Sequence, residues 1–434
     1  NWLAVWANQF QETTGWSFSA DQIILPVGVS FFTFQTISYA ADIYRGQVKP
    51  LRSLLDFGFY VSFFPQLVAG PIVRAAEFVP QIHKKFSLTK AAWGLATFMI
   101  VNGLVKKLLL ADFLALNYVD KVFDMPHMYM GFDVLMGLFV YSLQVYADFS
   151  GYTDIAIGVA LLMGFRLPDN FNSPYKAKNV AEFWKRWHIS LSTWLKDYLY
   201  IPLGGNRKSS IGTFFWSLVL SGVAAAISGS WWIMAIFPLL VLLLWLLRLW
   251  IPGLWSAFTT NINMLLTMLI GGLWHGASWN FLIWGGLNGL GLLVYKGWRK
   301  ISPYEASNHP VVHAWKVLFT FVFISFTRLF FRAGDQRNPN DNWETAEALW
   351  AQLFNPGGWN LSHIFLVSET YRNAFLVFLG GMVLHWLPKI WKDFLRRSWI
   401  NLPLPVQALA ALLVVFVLYQ LIDEEGQTFI YFQF

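Results

Sequence analysis

The sequence contains no cysteine among its 434 residues. This absence excludes thiolate nucleophiles, disulfide bonds, cysteine-ligated zinc and iron–sulfur clusters. Charged side chains are also scarce, at 13% of residues, whereas a soluble globular protein carries about 25%. Apolar residues make up 56% of the chain and recur in long runs from end to end. A soluble enzyme, a disordered protein and a fibrous repeat are therefore excluded, which leaves an integral membrane protein with several spans.

Long apolar runs predict the membrane-embedded helices, since about 20 helical residues cross the roughly 30 Å hydrocarbon layer. The candidate runs lie at 24–44, 54–73, 91–110, 131–149, 211–228, 231–249, 263–282, 312–331, 374–386 and 405–422, with marginal ones at 153–165 and 283–295. Pro and Gly interrupt several runs, and a broken backbone at membrane depth is tolerated only where protein or a water-filled cavity covers it. We therefore expect an all-α, polytopic transmembrane bundle. It should have about 10–12 membrane-embedded helices and interfacial amphipathic helices around a central cavity or tunnel.

Basic residues exceed acidic ones, which gives the chain a net charge of +7. In a membrane protein such an excess is typical of cytoplasmic loops, where Lys and Arg gather. No soluble basic surface that would indicate nucleic-acid binding is visible. Membrane lipids are therefore expected partners, and nucleic acid is not.

Residues 179–200 read NVAEFWKRWHISLSTWLKDYLY and predict one amphipathic helix. Asn179 followed three residues later by Glu182 is a variant of the capping box, so the helix should begin there. The aromatic residues share one face with His188, and the lysines lie on the opposite face, which is typical of a helix in the membrane interface. His188 is either a core histidine that bonds to a backbone carbonyl or a polar group directed into a buried catalytic site.

A second histidine, His275, lies in the glycine-rich apolar stretch GGLWHGASW at 271–279. Ionisable residues at membrane depth are costly and usually face a bundle interior or a cavity. Burial should keep this imidazole neutral, and a neutral imidazole can accept a proton as a general base. The alternative is a histidine that only forms a hydrogen bond between helices. No histidine pair has the spacing and carboxylate partner of a zinc site, so we expect no metal.

Tyr146, Asp148 and Ser150 form a polar string at the end of a predicted span. They either line a tunnel and position the amphipathic helix, or form a cap at the membrane edge. Arg74 and Arg328 are interpreted as interfacial anchors rather than ligands of an acyl donor.

Seven sequence blocks in this order resemble the membrane-bound O-acyltransferase (MBOAT) family, in particular its bacterial alginate O-acetyltransferase membrane-subunit branch. The blocks are PVGVSFFTFQTISYAADIYRG (26–46), FFPQLVAGPIVR (63–74), YADFSGYTDIAIG (146–158), NFNSPY (170–175), FWKRWHISLSTWLKDYLYIPLGGNR (183–207), GGLWHGASW (271–279) and FIYFQF (429–434). The resemblance covers nearly the whole chain, which we interpret as a single transmembrane domain over 1–434.

The resemblance implies that His275 is the catalytic histidine and that His188 is the second polar residue of the site. Trp274, Asn280, Trp187, Tyr146, Asp148 and Ser150 are the candidates for substrate binding or for lining a tunnel. Acetyl would pass from a cytoplasmic donor, acetyl-CoA or another acyl thioester used as cosubstrate, to the far side. The recipients would be periplasmic or extracellular acetyltransferase partner proteins and a polysaccharide acceptor. No tightly bound cofactor is expected, and the location implied is the bacterial cytoplasmic (inner) membrane.

Three features depart from the family pattern. Family members of this branch usually carry further hydrophobic segments before the first block, so we expect that native N-terminal spans are missing from this sequence. Residues 211–258 insert two apolar runs between His188 and His275, which must still meet in space if they share a site. Asn288 stands where the family often carries another histidine, and we assign it no role.

The mechanism expected from these residues is direct transfer. His275 removes the proton from an acceptor hydroxyl, and His188 either orients the acceptor or donates to the developing oxyanion. A first alternative is transfer of D-alanine from an acidic carrier protein to teichoic acid, for which the basic residues of 176–208 would suit the donor. A transporter is a second alternative, although the repeated halves typical of transporters are not visible. The third is a scaffold that docks a soluble modifying enzyme.

Overall fold

The computed structural model describes residues 28–67, 70–207, 210–247, 249–276, 278–334 and 342–420. Within these ranges the regular elements are all helices, and no strand occurs. The predicted all-α class is therefore confirmed. The first predicted block overlaps residues before 28, and the last block, 429–434, lies wholly outside the described residues.

Among the described residues, nine α-helices precede residue 211 and ten begin at or after it. The first nine are α1 (Val29–Tyr44), α2 (Leu54–Ser62), α3 (Phe64–Leu67), α4 (Ala75–Ile82), α5 (Lys90–Leu104), α6 (Asp120–Asp124), α7 (Phe132–Leu162), α8 (Val180–Arg186) and α9 (Ile189–Leu195). Wider π-helical turns extend α5 over Val105–Asp112 and α9 over Lys196–Tyr200. The segment predicted as one amphipathic helix, 179–200, therefore contains α8, α9 and the π-helical turn that follows.

Ten further α-helices follow. They are α10 (Ile211–Ser228), α11 (Ile233–Leu247), α12 (Pro252–Leu273), α13 (Trp279–Ile301), α14 (Pro310–Ala333), α15 (Asn342–Leu353), α16 (Leu361–Thr370), α17 (Arg372–Trp386), α18 (Lys389–Asn401) and α19 (Leu404–Tyr419). The predicted boundaries of the run at 211–228 agree with those of α10, and the runs at 231–249, 312–331, 374–386 and 405–422 agree within a few residues.

Helix α7 is the central element of the bundle. It has 31 residues, or roughly 46 Å at about 1.5 Å per residue, which is more than a bilayer requires. It packs mainly against α5 and α14, and the Ser142 hydroxyl donates across to the Ser325 hydroxyl of α14 at 2.9 Å. The two runs predicted at 131–149 and 153–165 are therefore one continuous helix, because the polar residues between them are buried against neighbouring helices instead of ending a span.

Three of the described helices are long and apolar enough to cross a membrane, namely α7, α14 and the part of α12 from Gly253 onward. A fourth candidate is the pair α17 and α18, which is bent by 93° at its break and forms either a broken span or a re-entrant loop. Helices α10, α11 and α19 are apolar but shorter.

Two predicted spans are interrupted in the structure. The run at 263–282 is wrong as a single helix, because α12 ends at Leu273 and α13 begins only at Trp279. The run at 54–73 divides into α2 and α3, and residues 71–74 are not helical. Near that second break the Gln66 amide donates to the backbone carbonyl of Tyr60 at 2.6 Å. A side chain therefore provides the hydrogen bond that this buried carbonyl needs where the helix is interrupted.

Candidate functional site

The predicted continuous helix over 179–200 is wrong, because the backbone breaks at His188. This residue has φ 43° and ψ 57°, in the left-handed region, and α9 begins directly after it. The predicted start is confirmed, since the Asn179 side chain accepts from the backbone N–H of Glu182 at 2.8 Å. The break directs the His188 side chain into the protein, where it is only 1% exposed.

Asn170 holds this break from outside the helix. Its backbone carbonyl accepts from the Ile189 N–H at 2.9 Å, and its side-chain Oδ1 accepts from the Ser190 N–H at 3.1 Å and the Ser190 hydroxyl at 2.9 Å. The same Oδ1 lies 3.1 Å from Nδ1 of His188. Residue 170 therefore fixes both the backbone and the imidazole of the turn.

These contacts determine the tautomer of His188. Because a backbone N–H donates to Oδ1 of Asn170, that atom is the amide oxygen and accepts only. Nδ1 of His188 must then carry the hydrogen and donate to it, which leaves Nε2 with a lone pair. Nε2 is buried, and no described residue forms a hydrogen bond with it. A neutral His188 can accept a hydrogen bond from a bound hydroxyl at Nε2.

His275 lies in the break between α12 and α13, where its backbone N–H donates to the Gly272 carbonyl at 3.0 Å. Aromatic rings surround its imidazole. The ring centroids of Trp274, Trp284 and Phe331 lie 4.8, 5.2 and 5.1 Å from that of His275. His275 as a whole residue is half-buried, and Nδ1 of its imidazole is buried among these rings.

The structure brings the two predicted histidines together at Trp274. The indole of Trp274 lies 6.3 Å from the His188 ring and 4.8 Å from the His275 ring, measured between centroids. Phe31 of α1 covers the same indole at 5.6 Å. The insertion at 211–258 therefore does not separate the two histidines, and two breaks in distant helices present their imidazoles to one apolar partner.

Trp187, the residue before the left-handed turn, is held between a ring and a cation. It stacks on Phe183 at 5.6 Å, and the guanidinium carbon of Arg328 lies 4.4 Å from the centre of its ring. Arg328 is only 3% exposed. The interpretation of Arg328 as an interfacial anchor is therefore wrong, because α14 turns this side chain into the core. Arg74 is instead part of a surface ion pair with Asp197 at 2.8 Å.

The polar string lies in the interior of α7, so it is not a cap at a membrane edge. Tyr146 packs edge-on against His385 at 4.6 Å, and Asp148 forms an ion pair with Lys107 at 2.8 Å. Ser150 is buried near the same level. Phe149, which lies between them in sequence, contacts the His188 ring at 4.6 Å. Phe149 thus connects this part of α7 to His188, and the role of the string as a tunnel lining stays a prediction.

Two asparagines of α13 secure the other wall of the site. Asn280 is buried, and its amide donates to the Ala333 carbonyl at the end of α14 at 3.4 Å. One of its neighbours in the helix, Trp284, contacts His275. Asn288 donates to the Trp284 carbonyl at 2.9 Å. The same amide also donates to the Thr327 hydroxyl of α14 at 3.4 Å, so both asparagines join α13 to α14.

His385 is a buried polar residue near the site that the sequence motifs do not predict. This residue is buried in α17, where its Nε2 accepts the backbone N–H of Tyr175 at 3.2 Å and its ring contacts Tyr146. Its carbonyl accepts from Lys392 at 2.8 Å. The sequence feature that could have identified His385 is its position as an ionisable residue inside the apolar run at 374–386. Across the described ranges, no three His, Asp or Glu side chains gather closely enough to hold a metal ion.

With this geometry in hand, comparison with known proteins gives the family. The sequence model of the MBOAT, membrane-bound O-acyltransferase family, matches residues 48–262. A relative from Pseudomonas aeruginosa named "Probable alginate O-acetylase AlgI" is 36% identical over 392 residues, which cover 90% of this chain and 62% of the relative. The chain belongs to the membrane-bound O-acyltransferase family.

Other relatives extend the comparison. The MBOAT chain is 33% identical over 401 residues to the "Peptidoglycan O-acetyltransferase" of Helicobacter pylori, covering 86% of this chain and 63% of that protein. It is 26% identical over 308 residues to the "Teichoic acid D-alanyltransferase" of Bacillus subtilis, covering 69% and 67%. The matches to the alginate O-acetylases span only 56% to 62% of the relatives' own length.

Family membership and the apolar helices identify the chain as a membrane protein. The family match includes His188 and ends before His275. The catalytic and substrate-binding roles of the site residues therefore stay predictions, and they rest on the geometry described above.

Proposed function

We propose that this MBOAT protein is a membrane-embedded O-acyltransferase that acetylates hydroxyl groups of an exported polysaccharide. The observation that carries the proposal is the convergence of His188 and His275 on the indole of Trp274. Relatives named as an alginate O-acetylase and a peptidoglycan O-acetyltransferase support the reaction and the acceptor class.

In the proposed reaction His275 is the general base. It takes the proton of an acceptor hydroxyl while that oxygen forms a bond to the carbonyl carbon of an acyl thioester. The carbonyl electron pair moves onto oxygen, and it returns when the carbon–sulfur bond breaks. The departing thiolate takes the proton from the imidazolium, which restores neutral His275 and releases a thiol. No covalent acyl-enzyme is required, and the general-base step contributes about 10²–10⁴-fold.

His188 is proposed to orient the acceptor. Its Nδ1–H is committed to Asn170, so a neutral imidazole offers only the lone pair of Nε2. That atom can accept from a neighbouring hydroxyl of the sugar and hold the reacting oxygen near His275. Of the two roles considered for His188, the tautomer favours orienting the acceptor over donating to an oxyanion.

The route of the acyl group is proposed to run through a tunnel from a cytoplasmic donor to an acceptor on the other side of a bacterial inner membrane. The donor would be acetyl-CoA or another acyl thioester, and the recipients would include periplasmic or extracellular acetyltransferase partners. The positions of basic residues support the proposal that the acyl donor enters from the cytoplasmic side. Lys176 donates to the Leu387 carbonyl at 2.7 Å and Lys392 to the Ser173 hydroxyl at 2.9 Å, so two lysine-bearing segments meet on one side of the site.

The test is retention of labelled acetyl in cell-surface glycans, measured by mass analysis in cells that express each protein at equal membrane abundance. The native protein should incorporate label, and His275→Ala should reduce incorporation by at least about 10²-fold. His313→Ala is the matched control, since His313 is exposed on α14 and should leave incorporation unchanged. Near-normal incorporation by His275→Ala would remove the mechanism and would favour a transporter or a scaffold.

Transfer of D-alanine to teichoic acid is a second candidate. The similarity to the Bacillus subtilis protein and the lysines near Ser173 support it. Labelled D-alanine supplied in the same cells distinguishes the two reactions. Label in teichoic acid that depends on His275 would replace the acetyl proposal by this one.

A further inference from the structure

Arg328 is the buried charge that the proposed reaction leaves unused. Its side chain is 3% exposed on the inner face of α14. The guanidinium lies against the ring of Trp187 and also interacts with the Tyr175 hydroxyl, a neutral group that donates to the Ser142 carbonyl. Nε of Arg328 forms no hydrogen bond with any described residue.

No carboxylate of the described chain forms an ion pair with Arg328. Burying a charge without a counter-ion is costly, and a cation–π contact offsets only part of that cost. The folded protein therefore carries a net electrostatic cost at this position. A buried ionisable group of this kind is a candidate for a functional site, and for a cation the fitting ligand is an anion.

The contrast with Arg332, one turn further along α14, sharpens this argument. Arg332 is also buried, yet its guanidinium lies 3.1 Å from a carboxylate oxygen of Asp120 and 3.1 Å from one of Asp124. The same helix thus presents two buried arginines, of which one is neutralised by the fold and the other is not.

The position of Arg328 relates it to both histidines. The ring that it covers belongs to Trp187, the residue immediately before His188. Residues three apart on a helix lie on neighbouring parts of its surface, and Phe331, three residues after Arg328, contacts the His275 ring at 5.1 Å. The charge of Arg328 also acts on His275 electrostatically. The guanidinium therefore lies between the residue that precedes His188 and a turn of α14 that contacts His275.

We propose that Arg328 binds the oxyanion that forms on the acyl carbon during transfer, which makes it a catalytic residue of the proposed reaction. When the acceptor oxygen bonds to the acyl carbon, the carbonyl pair becomes a localised negative charge, and the guanidinium N–H groups donate to it. When the carbon–sulfur bond breaks, the pair returns to the carbonyl and Arg328 releases a neutral ester. This inference rests on the proposed function, and it supplies the donor that neutral His188 lacks.

Arg328→Gln and Arg328→Lys in the full-length protein test the assignment, with labelled acetyl-CoA as donor. The Gln variant should lower kcat by about 10²–10³-fold with KM for donor and acceptor within about threefold. The Lys variant should recover part of kcat, since it keeps the charge without the planar fork. A rise in KM with kcat preserved would overturn the assignment, because it would mean that Arg328 binds a permanent anionic group of a substrate.

Thermal unfolding of the purified proteins separates catalysis from structure. Arg328→Gln removes a buried charge that lacks a counter-ion, so its unfolding midpoint should equal or exceed that of the native protein. Arg332→Gln is the matched control, and its midpoint should fall because the ion pair between Arg332 and Asp120 is removed. A lower midpoint for Arg328→Gln, with kcat reduced only in proportion to folded protein, would assign Arg328 a structural role instead.

A further measurement keeps the assignment testable if the proposed function fails. In that case the native protein transfers no acetyl from acetyl-CoA, and acetate ion serves as the probe. Acetate should raise the unfolding midpoint of the native protein relative to chloride at equal ionic strength, and it should not raise that of Arg328→Gln. Equal responses of the two proteins would overturn the anion site independently of the acyl-transfer proposal.

Discussion

At the scale of single residues, the reactivity of His188 depends on a neighbour that carries no charge. Asn170 is 1% exposed, and through one oxygen it fixes the His188 tautomer and satisfies the first turn of α9. Because the Asn170 amide is neutral, it orients the imidazole of His188 without changing the charge of that ring. Removing it should therefore disturb positioning more than folding.

Asn170→Ala should lower acyl transfer by about 10²-fold, because an imidazole that can rotate or change tautomer no longer presents Nε2 to the acceptor. Labelled acetyl incorporation at equal membrane abundance measures this effect. Asn172→Ala is the control, since Asn172 lies in the same loop with an exposed side chain and participates through its backbone. Equal losses in the two variants would contradict a specific role for Asn170.

The residues of the site could be predicted to different degrees. His188 and His275 were predicted together, because motif blocks and an imidazole at membrane depth are visible in the chain itself. The proposed role of Arg328 could not be predicted in this way. The packing of α6 against α14, and not the local sequence, decides which buried arginine has a carboxylate partner. His385 was missed for the same reason, as its partner is a backbone N–H of a distant loop.

At the scale of elements, the break at His188 is a feature that the sequence pattern does not predict. The segment 179–200 contains neither Pro nor Gly, so helical periodicity alone predicts a continuous helix. A left-handed histidine costs roughly 1–2 kcal/mol. Three bonds from the Asn170 segment, to Ile189, Ser190 and the imidazole, offset that cost. These bonds come from outside the helix, and local propensity does not contain them.

The packing of α5 against α7 provides a prediction at this scale. A Cβ at Gly158 would lie 2.7 Å from the backbone carbonyl oxygen of Ala96. Gly158→Ala should therefore destabilise the protein by about 1–3 kcal/mol, as overpacking does in rigid cores. Gly380→Ala in α17 meets no atom within 4 Å and should be neutral or stabilising by up to about 1 kcal/mol. Unfolding midpoints in detergent measure both changes, and equal midpoints would contradict the close contact.

At the scale of the whole molecule, the packing of the helices between 211 and 273 shows how distant motifs still share a site. Helices α10 and α11 pack on each other, and Thr213 of α10 donates to the Asn263 side chain of α12 at 2.8 Å. Large apolar side chains such as Phe215 and Leu239 are exposed on α10 and α11, which suits contact with lipid. Helix α12 packs against both helices and returns the chain to Trp274 and His275.

The basic segments also define a direction across the membrane. Lys176 and Lys392 connect the loop before α8 to the bend between α17 and α18. Helix α18 is rich in basic residues, has no buried residue and turns by 93° from α17. A basic helix without buried residues is typical of one that lies in the membrane interface. Because Lys and Arg accumulate on the cytoplasmic side, α8 and α18 should both face the cytoplasm.

Single-cysteine labelling tests this arrangement directly, because the native sequence contains no cysteine. Lys185→Cys and Arg397→Cys, both at exposed positions, should react with a membrane-impermeant maleimide only after the membrane is opened. Thr370→Cys, exposed before the start of α17, should react in intact spheroplasts. A re-entrant α17–α18 pair would place Thr370 and Arg397 on the same side, and their identical labelling would exclude α17 as a crossing helix. If the cysteines at positions 185 and 397 were labelled from opposite sides of the membrane, the two basic segments would not share one side. That result would contradict the proposal that the acyl donor enters beside them.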